Sequence, residues 1–245
     1  MIEANELKSK KVVVTGGATG IGFAIANLFA KSGATVAIGS RRETAIADAI
    51  ALSGNKLIGQ TVDVANRTSV NEFFAWLAQS LGQVDILVNA AGINIKNRSF
   101  KSMTPDQWDQ VMATNTTGAY NCIYCVLPQM RTRQNGMIIN ISSVAGKRAI
   151  ALGGSAYAAS KFAMTALGTC LSNELGSENI RIMNVYPGEV DTPLIEHRPT
   201  PVTEAHRQTM LRPEDVADVV VGLASLPDRV HVPEIVIKPI NQQYC

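Results

Sequence analysis

The chain has little of what marks secreted, membrane or nucleic-acid-binding proteins. Four cysteines among 245 residues are too few for a disulfide framework, and no apolar run approaches the length of a membrane span. Aromatic residues make up 5% of the chain. The net charge of +2 is too small, and the basic residues are too scattered, to predict a polyanion as the main partner. The first ten residues contain two Glu and two Lys and no apolar run, so no secretory signal is expected. These absences predict a cytoplasmic globular protein that binds neither nucleic acid nor a membrane.

Metal ligands are also scarce. The three histidines, His197, His206 and His231, lack metal-ligand spacing with a cysteine or a carboxylate. Cys122 and Cys125 form a Cys-x-x-Cys pair inside a helical pattern, where thiols usually act as small buried hydrophobes. We therefore expect no metal site.

Short apolar runs alternate with longer segments of helical period. The runs predict seven strands, at 11–15, 35–39, 57–62, 85–90, 136–142, 181–186 and 234–238. Several are apolar throughout, as in strands covered on both faces. The intervening segments include 22–33, 69–82, 104–131 and 156–176, which are long enough for crossover helices. The pattern predicts one α/β domain over 1–245, a Rossmann-like, doubly wound parallel sheet of about seven strands with helices on both faces.

The segment 189–212 breaks this rhythm. It carries Pro193, Pro199 and Pro201 among polar residues and shows no clear period. Because it follows a strand end, it is a candidate substrate lid.

A glycine-rich turn follows the first strand. Gly16, Gly20 and Gly22, with Thr19 and Ile21 between them, lead into an apolar helical run. At such a junction, backbone N–H groups and the helix dipole can meet a phosphate. The spacing differs from the Gly-x-Gly-x-x-Gly fingerprint, but the strand, turn and helix together predict a dinucleotide site.

The end of the second strand predicts which dinucleotide binds. An acidic residue there would bind the ribose 2′-hydroxyl of NAD, but Ser40, Arg41 and Arg42 stand in its place. Guanidinium groups suit a 2′-phosphate, so NADP(H) is the expected cofactor.

Tyr157 and Lys161 form a Tyr-x-x-x-Lys pair. Residues four apart share one helix face, so the ammonium is expected near the phenol. A free tyrosine has a pKa of about 10, which a neighbouring cation lowers. The pair predicts proton donation or abstraction by Tyr157.

Taken in order, these motifs resemble the short-chain dehydrogenase/reductase family over nearly the whole chain. The resemblance rests on Thr15-Gly16-x-x-x-Gly20-x-Gly22, Asn89-Ala-Ala-Gly92, Tyr157-x-x-x-Lys161 and Tyr186-Pro187-Gly188. It implies a catalytic tetrad of Asn115, Ser143, Tyr157 and Lys161. It also implies cofactor contacts from the turn and strand ends, namely Asp63, Val64, Asn89, Ala90, Gly92, Tyr157, Lys161, Pro187, Gly188, Val190 and Thr192.

The resemblance also implies roles. Tyr157 would be the general acid in reduction, and Ser143, the second serine of a Ser-Ser pair, would hydrogen-bond the substrate carbonyl. Lys161 would hold the nicotinamide ribose, and Asn115 would position a water that relays protons. Family members are commonly tetramers built through the helices near 104–131 and 156–176, so a homo-oligomer is expected.

The leading functional prediction is an NADP(H)-dependent oxidoreductase that reduces a carbonyl to a secondary alcohol, or the reverse, on a small or medium organic molecule. A 3-oxoacyl-thioester reductase is the alternative among enzymes. Those relatives usually end the last strand with Asp-Gly-Gly, whereas 234–243 here resembles serine and 3-hydroxy acid dehydrogenases. A non-catalytic dinucleotide sensor or scaffold is the alternative from another class.

Overall fold

The protein is described by a computed structural model that covers residues 7–243. Its seven strands form one sheet in the order β3-β2-β1-β4-β5-β6-β7, and every neighbouring pair is parallel. The strands are β1 (Lys11–Thr15), β2 (Thr35–Ser40), β3 (Leu57–Thr61), β4 (Ile86–Asn89), β5 (Gly136–Ile141), β6 (Ile180–Pro187) and β7 (Glu234–Ile237). The predicted doubly wound parallel sheet is confirmed.

Eight α-helices accompany the sheet within the described residues. They are α1 (Gly20–Lys31), α2 (Glu43–Leu52), α3 (Arg67–Ser80), α4 (Pro105–Met112), α5 (Gly118–Arg133), α6 (Ser155–Leu175), α7 (Glu204–Arg207) and α8 (Pro213–Ala224). One core packs α1, α2 and α8 on one face of the sheet, and a second core packs α3, α5 and the end of α6 on the other.

The residues of β1 show why the central strands lack an alternating pattern. Val12 and Val14 belong to one core, while Val13 between them belongs to the other, and all three are fully buried. Successive side chains point to opposite faces, so a strand covered on both sides is apolar at every position.

Helix α2 was not singled out from the sequence, and the predicted segment 104–131 contains a break. A π-helical turn, Ala113–Thr117, separates α4 from α5. π-turns are rare and often lie at functional sites, and this one contains Asn115.

The two ends of the segment 189–212 pair with each other. The Asp191 amide donates to the Leu211 carbonyl at 2.8 Å, and the Leu211 amide donates to the Glu189 carbonyl at 3.0 Å. Between these ends lie a 3-10 turn, Pro193–His197, and α7. We call this closed excursion the 189–212 loop.

Three buried asparagines form a ladder across the middle of the sheet. Asn89, Asn140 and Asn184 pair in register on β4, β5 and β6. The side-chain amide of Asn89 donates from Nδ2 to Asn140 Oδ1 at 3.0 Å, and that of Asn140 donates from Nδ2 to Asn184 Oδ1 at 3.1 Å. Helix α6 approaches the ladder at Gly168, where any Cβ would overlap Asn184 Oδ1. We call this row the asparagine ladder.

None of the helices in the described range combines the length and apolar character needed to cross a membrane.

Candidate active site

A groove of about 510 Å³ runs along the carboxyl ends of the strands, a size within the usual range of about 300–1,000 Å³ for cofactor and ligand sites. Most of the predicted cofactor residues line it, namely Gly16, Thr19, Gly20, Ile21, Gly22, Ser40, Arg41, Arg42, Asp63, Val64, Ala90, Gly92, Tyr157, Lys161 and Thr192. Residues from five strand ends thus meet in one groove, as the parallel topology requires.

The glycine turn between β1 and α1 needs its glycines. Gly16 has φ +68°, and a Cβ on it would lie 2.6 Å from the Ala91 amide nitrogen. A Cβ on Gly22 would overlap the Gly16 carbonyl oxygen. The helix cap at Thr19 makes no side-chain hydrogen bond, and the first turn of α1 has no acidic residue. The first N–H groups of α1 therefore lie at the groove without a competing side chain, as phosphate binding requires.

Arg41 and Arg42 follow β2 on the exposed rim of the groove. Within residues 7–243, neither guanidinium forms a salt bridge, and Asp63 is the only carboxylate that lines the groove. The residues present thus fit a dinucleotide that carries an additional phosphate on its adenosine ribose.

Four predicted cofactor residues lie elsewhere. The Asn89 side chain belongs to the asparagine ladder and does not line the groove. Pro187, Gly188 and Val190 line a second, smaller cavity of about 150 Å³, which we call the inner cavity. It adjoins the groove, because Ile21, Asn94, Tyr157 and Thr192 line both.

Ser143 and Tyr157 meet at the inner cavity. Ser143 Oγ accepts a hydrogen bond from the Ala145 amide at 3.1 Å, and the Ser143 hydroxyl also hydrogen-bonds the Tyr157 phenol. Ser142 Oγ lies instead against helix α6, 3.2 Å from the Lys161 carbonyl. The two serines therefore have different partners, and the Ser143 hydroxyl is the one beside Tyr157.

The pKa of Tyr157 is raised rather than lowered, contrary to the prediction. Burial raises the pKa of the Tyr157 phenol above its usual value, while Ser143 and the positive charge of Arg98 lower it in part. The Lys161 ammonium lies 5.7 Å from the Tyr157 ring centroid and donates to the Ile141 carbonyl at 2.8 Å. Tyr157 thus keeps its proton at neutral pH, as a proton donor in reduction must.

Lys161 is buried, and burial lowers the pKa of its ammonium to about 8. Gly92 keeps the space beside it open, because a Cβ at that position would lie 3.4 Å from Nζ. An ammonium has three donors, and the Ile141 carbonyl takes one, so the others can reach a hydroxyl in the groove.

The lowered pKa of Lys161 predicts a pH-dependent cost to stability. Between pH 8 and 10.5 the unfolded chain binds more protons than the folded one. The free-energy cost of burying the charged Lys161 ammonium in the folded state therefore falls as pH rises. We expect Lys161→Met to be more stable than the wild type at pH 7, with the gap in unfolding free energy narrowing by roughly 3 kcal/mol up to pH 10.5. Chemical denaturation across this range measures the gap.

Lys101→Met, at an exposed position, is the matched control and should show a constant difference from the wild type. If the difference in unfolding free energy between Lys161→Met and the wild type stays constant or widens with pH, the expected cost of burying the ammonium is contradicted.

Asn115 joins the segment after β4 to helix α6. Its side chain accepts from the Ile93 amide at 2.8 Å and donates to the Ile93 carbonyl at 3.0 Å and to Ser160 Oγ at 2.9 Å. Asn115 Oδ1 would lie 3.5 Å from a Cβ placed on Gly92. Asn115 is fully buried and holds the loop at Ile93 in place under the groove.

Arg98 was not singled out from the sequence. Its guanidinium donates to the carbonyls of Ile95, Leu152 and His197 at 2.9, 2.8 and 3.0 Å, so it joins three loops. With Arg198 it lines the inner cavity. The loops 93–100, 147–154 and 189–212 shape this cavity, but no periodic pattern marks which of their side chains turn inward.

The described part of the chain contains no group of three His, Cys, Asp or Glu residues arranged to hold a metal. Cys122 is buried, and burial raises the pKa of its thiol, so it packs as a small apolar residue. Cys245 lies outside the described residues.

Comparison with known proteins agrees with this geometry. The profile of the short chain dehydrogenase family matches residues 10–201. An uncharacterized oxidoreductase of Staphylococcus saprophyticus is 32% identical, with 96% of this chain and 99% of the relative aligned. A 3-oxoacyl-[acyl-carrier-protein] reductase of Thermotoga maritima is 35% identical, with 89% and 92% aligned.

A solved structure shows the same similarity. The closed form of a serine dehydrogenase complexed with NADP+ superimposes with a TM-score of 0.88 at 30% identity, covering 96% of both chains. The family profile spans most of the chain, and the relatives align almost from end to end. The chain therefore belongs to the short-chain dehydrogenase family and is an oxidoreductase.

Proposed function

We propose that this protein is an NADP(H)-dependent oxidoreductase that interconverts a carbonyl and a secondary alcohol on a small or medium organic molecule. The observation that carries the proposal is the meeting of Ser143 and Tyr157 at a cavity that opens onto the groove beside Lys161. A proton donor, a hydrogen-bond donor and a cation thus lie where the inner cavity meets the groove.

The preference for NADP(H) rests on the rim of the groove. Arg41 and Arg42 follow β2, and no carboxylate stands at the strand end to bind a ribose hydroxyl. The similar serine dehydrogenase was solved with NADP+, which supports the same preference.

The chemistry follows from the side chains. In the groove, a nicotinamide cofactor would supply the hydride to the carbonyl carbon, or would accept it in the reverse direction. Tyr157 transfers its proton to the carbonyl oxygen, and the Ser143 hydroxyl stabilises the charge that develops there. Lys161 would bind a ribose hydroxyl of the cofactor, and Asn115 fixes the loop that carries Ile93.

The main alternative is reduction of a 3-oxoacyl thioester. The 35% identical Thermotoga relative is named for that reaction, which favours this second candidate. A protein that binds the dinucleotide without turnover remains the alternative from another class.

The test is oxidation of NADPH and NADH by the purified protein with ketones, oxo acids and 3-oxoacyl thioesters. Turnover of a ketone or oxo acid with NADPH preferred is the expected result. Turnover of thioesters alone would select the second candidate. Tight NADPH binding without any turnover would contradict the proposed enzyme and favour the sensor.

The predicted homo-oligomer is part of the same proposal. Helix α5 exposes Tyr120 and Tyr124, and α6 exposes Phe162 and Ala166. The Tyr120 and Tyr124 rings lie 6.0 Å apart between centroids, and neighbouring exposed apolar side chains are typical of contact faces. Light scattering after size exclusion measures the subunit number. A monomer at micromolar concentration would contradict the predicted homo-oligomer.

A further inference from the structure

The inner cavity carries more positive charge than its carboxylates balance. Arg98 and Arg198 both line it, and Glu189 is the only acidic residue among its lining residues. Glu189 is already engaged, because its carboxylate binds Arg198 at 2.8 Å and His206 at 2.9 Å. Across residues 7–243, Arg98 has no carboxylate within salt-bridge distance. One guanidinium charge is therefore left without a counter-ion beside Tyr157.

Arg98 is held in place by acceptors that do not neutralise it. Its three hydrogen bonds go to the main-chain carbonyls of Ile95, Leu152 and His197. A guanidinium has five N–H donors, so two remain. Because the carbonyls come from three loops, the plane of the guanidinium is fixed before a ligand arrives, which lowers the entropy lost on binding.

The surroundings of Arg98 disfavour its charge. Burial lowers the pKa of its guanidinium, and the charge of Arg198 lowers it further. An anion between the two would relieve both effects, because opposite charge at close range favours the ionised form. Gln242 lines the same wall and accepts from the Glu189 amide at 2.9 Å through Oε1, which leaves its Nε2 donors for the same ligand.

We infer that the substrate is a short oxo acid or hydroxy acid, whose carboxylate lies against Arg98 and Arg198 while its carbonyl or hydroxyl lies against Ser143 and Tyr157. This inference rests on the proposed function and names the substrate class of the same site. The carboxylate is unchanged by the reaction, in which the carbonyl carbon gains the hydride and the oxygen gains the proton. A cavity of about 150 Å³ suits a short chain. The assignment also favours a free acid over a thioester, which has no charge at that end.

The test compares each acid with its own methyl ester, which removes the charge and keeps the carbon skeleton. The substrates are 2-oxobutanoate, 3-oxobutanoate and 4-oxopentanoate with their esters, and NADPH oxidation gives kcat/KM. At least one acid should exceed its ester by about tenfold or more, as expected for a charge-assisted contact. In Arg98→Met this ratio should fall to near unity. If Arg98 acted only through the Tyr157 phenol, Arg98→Met would lower kcat/KM equally for the acid and for its ester. The ratio of acid to ester would then stay as in the wild type.

Two further variants keep the result interpretable. Arg198→Met should also lower the ratio, and it retains the three carbonyl contacts of Arg98 in case Arg98→Met does not fold. Arg229→Met removes an exposed arginine that does not line the cavity and should leave the ratio unchanged. A wild-type ratio of unity or below for every pair, or a ratio that survives both cavity variants, would overturn the inference while the oxidoreductase proposal stands.

A binding measurement separates failure of the two proposals. If no pair is turned over, calorimetry with the NADP+-loaded protein compares butanoate with butanamide. Butanoate binding that is at least about tenfold tighter, and that is lost in Arg98→Met, would support the anion site while the proposed reaction fails. Equal affinities would overturn the anion site as well.

Discussion

Replacing Tyr157 with phenylalanine is expected to lower the rate of carbonyl reduction by about 10³-fold, within the usual range for loss of a general acid. The substitution removes one hydroxyl and keeps the ring, which packs beside Gly153 and lies 5.7 Å from the Lys161 ammonium. NADPH affinity should stay within about threefold, because the glycine turn and the arginine rim are untouched and a lost neutral hydrogen bond has a small net effect. Single-turnover kinetics and fluorescence titration measure the two effects separately.

Tyr124→Phe is the matched control, because Tyr124 is exposed on α5 and lines neither cavity. It should retain the wild-type rate. Substantial turnover by Tyr157→Phe would show that another group donates the proton. A parallel loss of NADPH binding would instead indicate that the phenol serves mainly to bind the cofactor.

Removing Arg41 and Arg42 together is expected to reduce NADPH affinity by about 10² to 10³-fold and to leave NADH affinity nearly unchanged. Each charge-assisted hydrogen bond to a phosphate contributes about 1.5–3 kcal/mol, equivalent to roughly tenfold or more in the dissociation constant. Both arginines lie on the exposed rim, so the fold should tolerate Arg41→Ala with Arg42→Ala. Titration of the double variant with each dinucleotide measures the change.

NADH is the internal control for this experiment, since it has the same groups except the 2′-phosphate. Arg41→Asp extends the test, because a carboxylate at the end of β2 is placed to bind a ribose hydroxyl and repel a phosphate. This variant should prefer NADH. Equal losses for both cofactors in the alanine variant would remove the structural basis of the assigned preference.

The strands and the glycine turn were predictable because their signals are local. The first strand was predicted at 11–15 and is found at Lys11–Thr15, since its apolar run ends directly at Gly16. Tyr157 and Lys161 were predictable for the same reason, because four-residue spacing on a helix is a short-range property.

The partners of these side chains were not predictable. Lys161 donates to the Ile141 carbonyl, a contact set by how α6 lies on β5. The expected lowering of the Tyr157 pKa does not occur, because burial raises this pKa by more than Ser143 and Arg98 lower it. Arg98 is a clearer case. Its acceptors come from three loops as far as 99 residues away, and no pattern around it indicates that they converge.

The asparagine ladder bears on how the protein folds. Its rungs join residues 51 and 44 positions apart, so each rung forms only when strands distant in the sequence have come together. A slip of one residue in any of the three strands would turn its asparagine to the opposite face and leave buried amides without partners. The ladder therefore stabilises the correctly registered sheet, and it depends on the long-range pairing that makes parallel sheets slow to form. A compact state with strands shifted by one residue is not stabilised by hydrogen bonds between these asparagines. The asparagine ladder therefore favours the native register over the registers shifted by one residue.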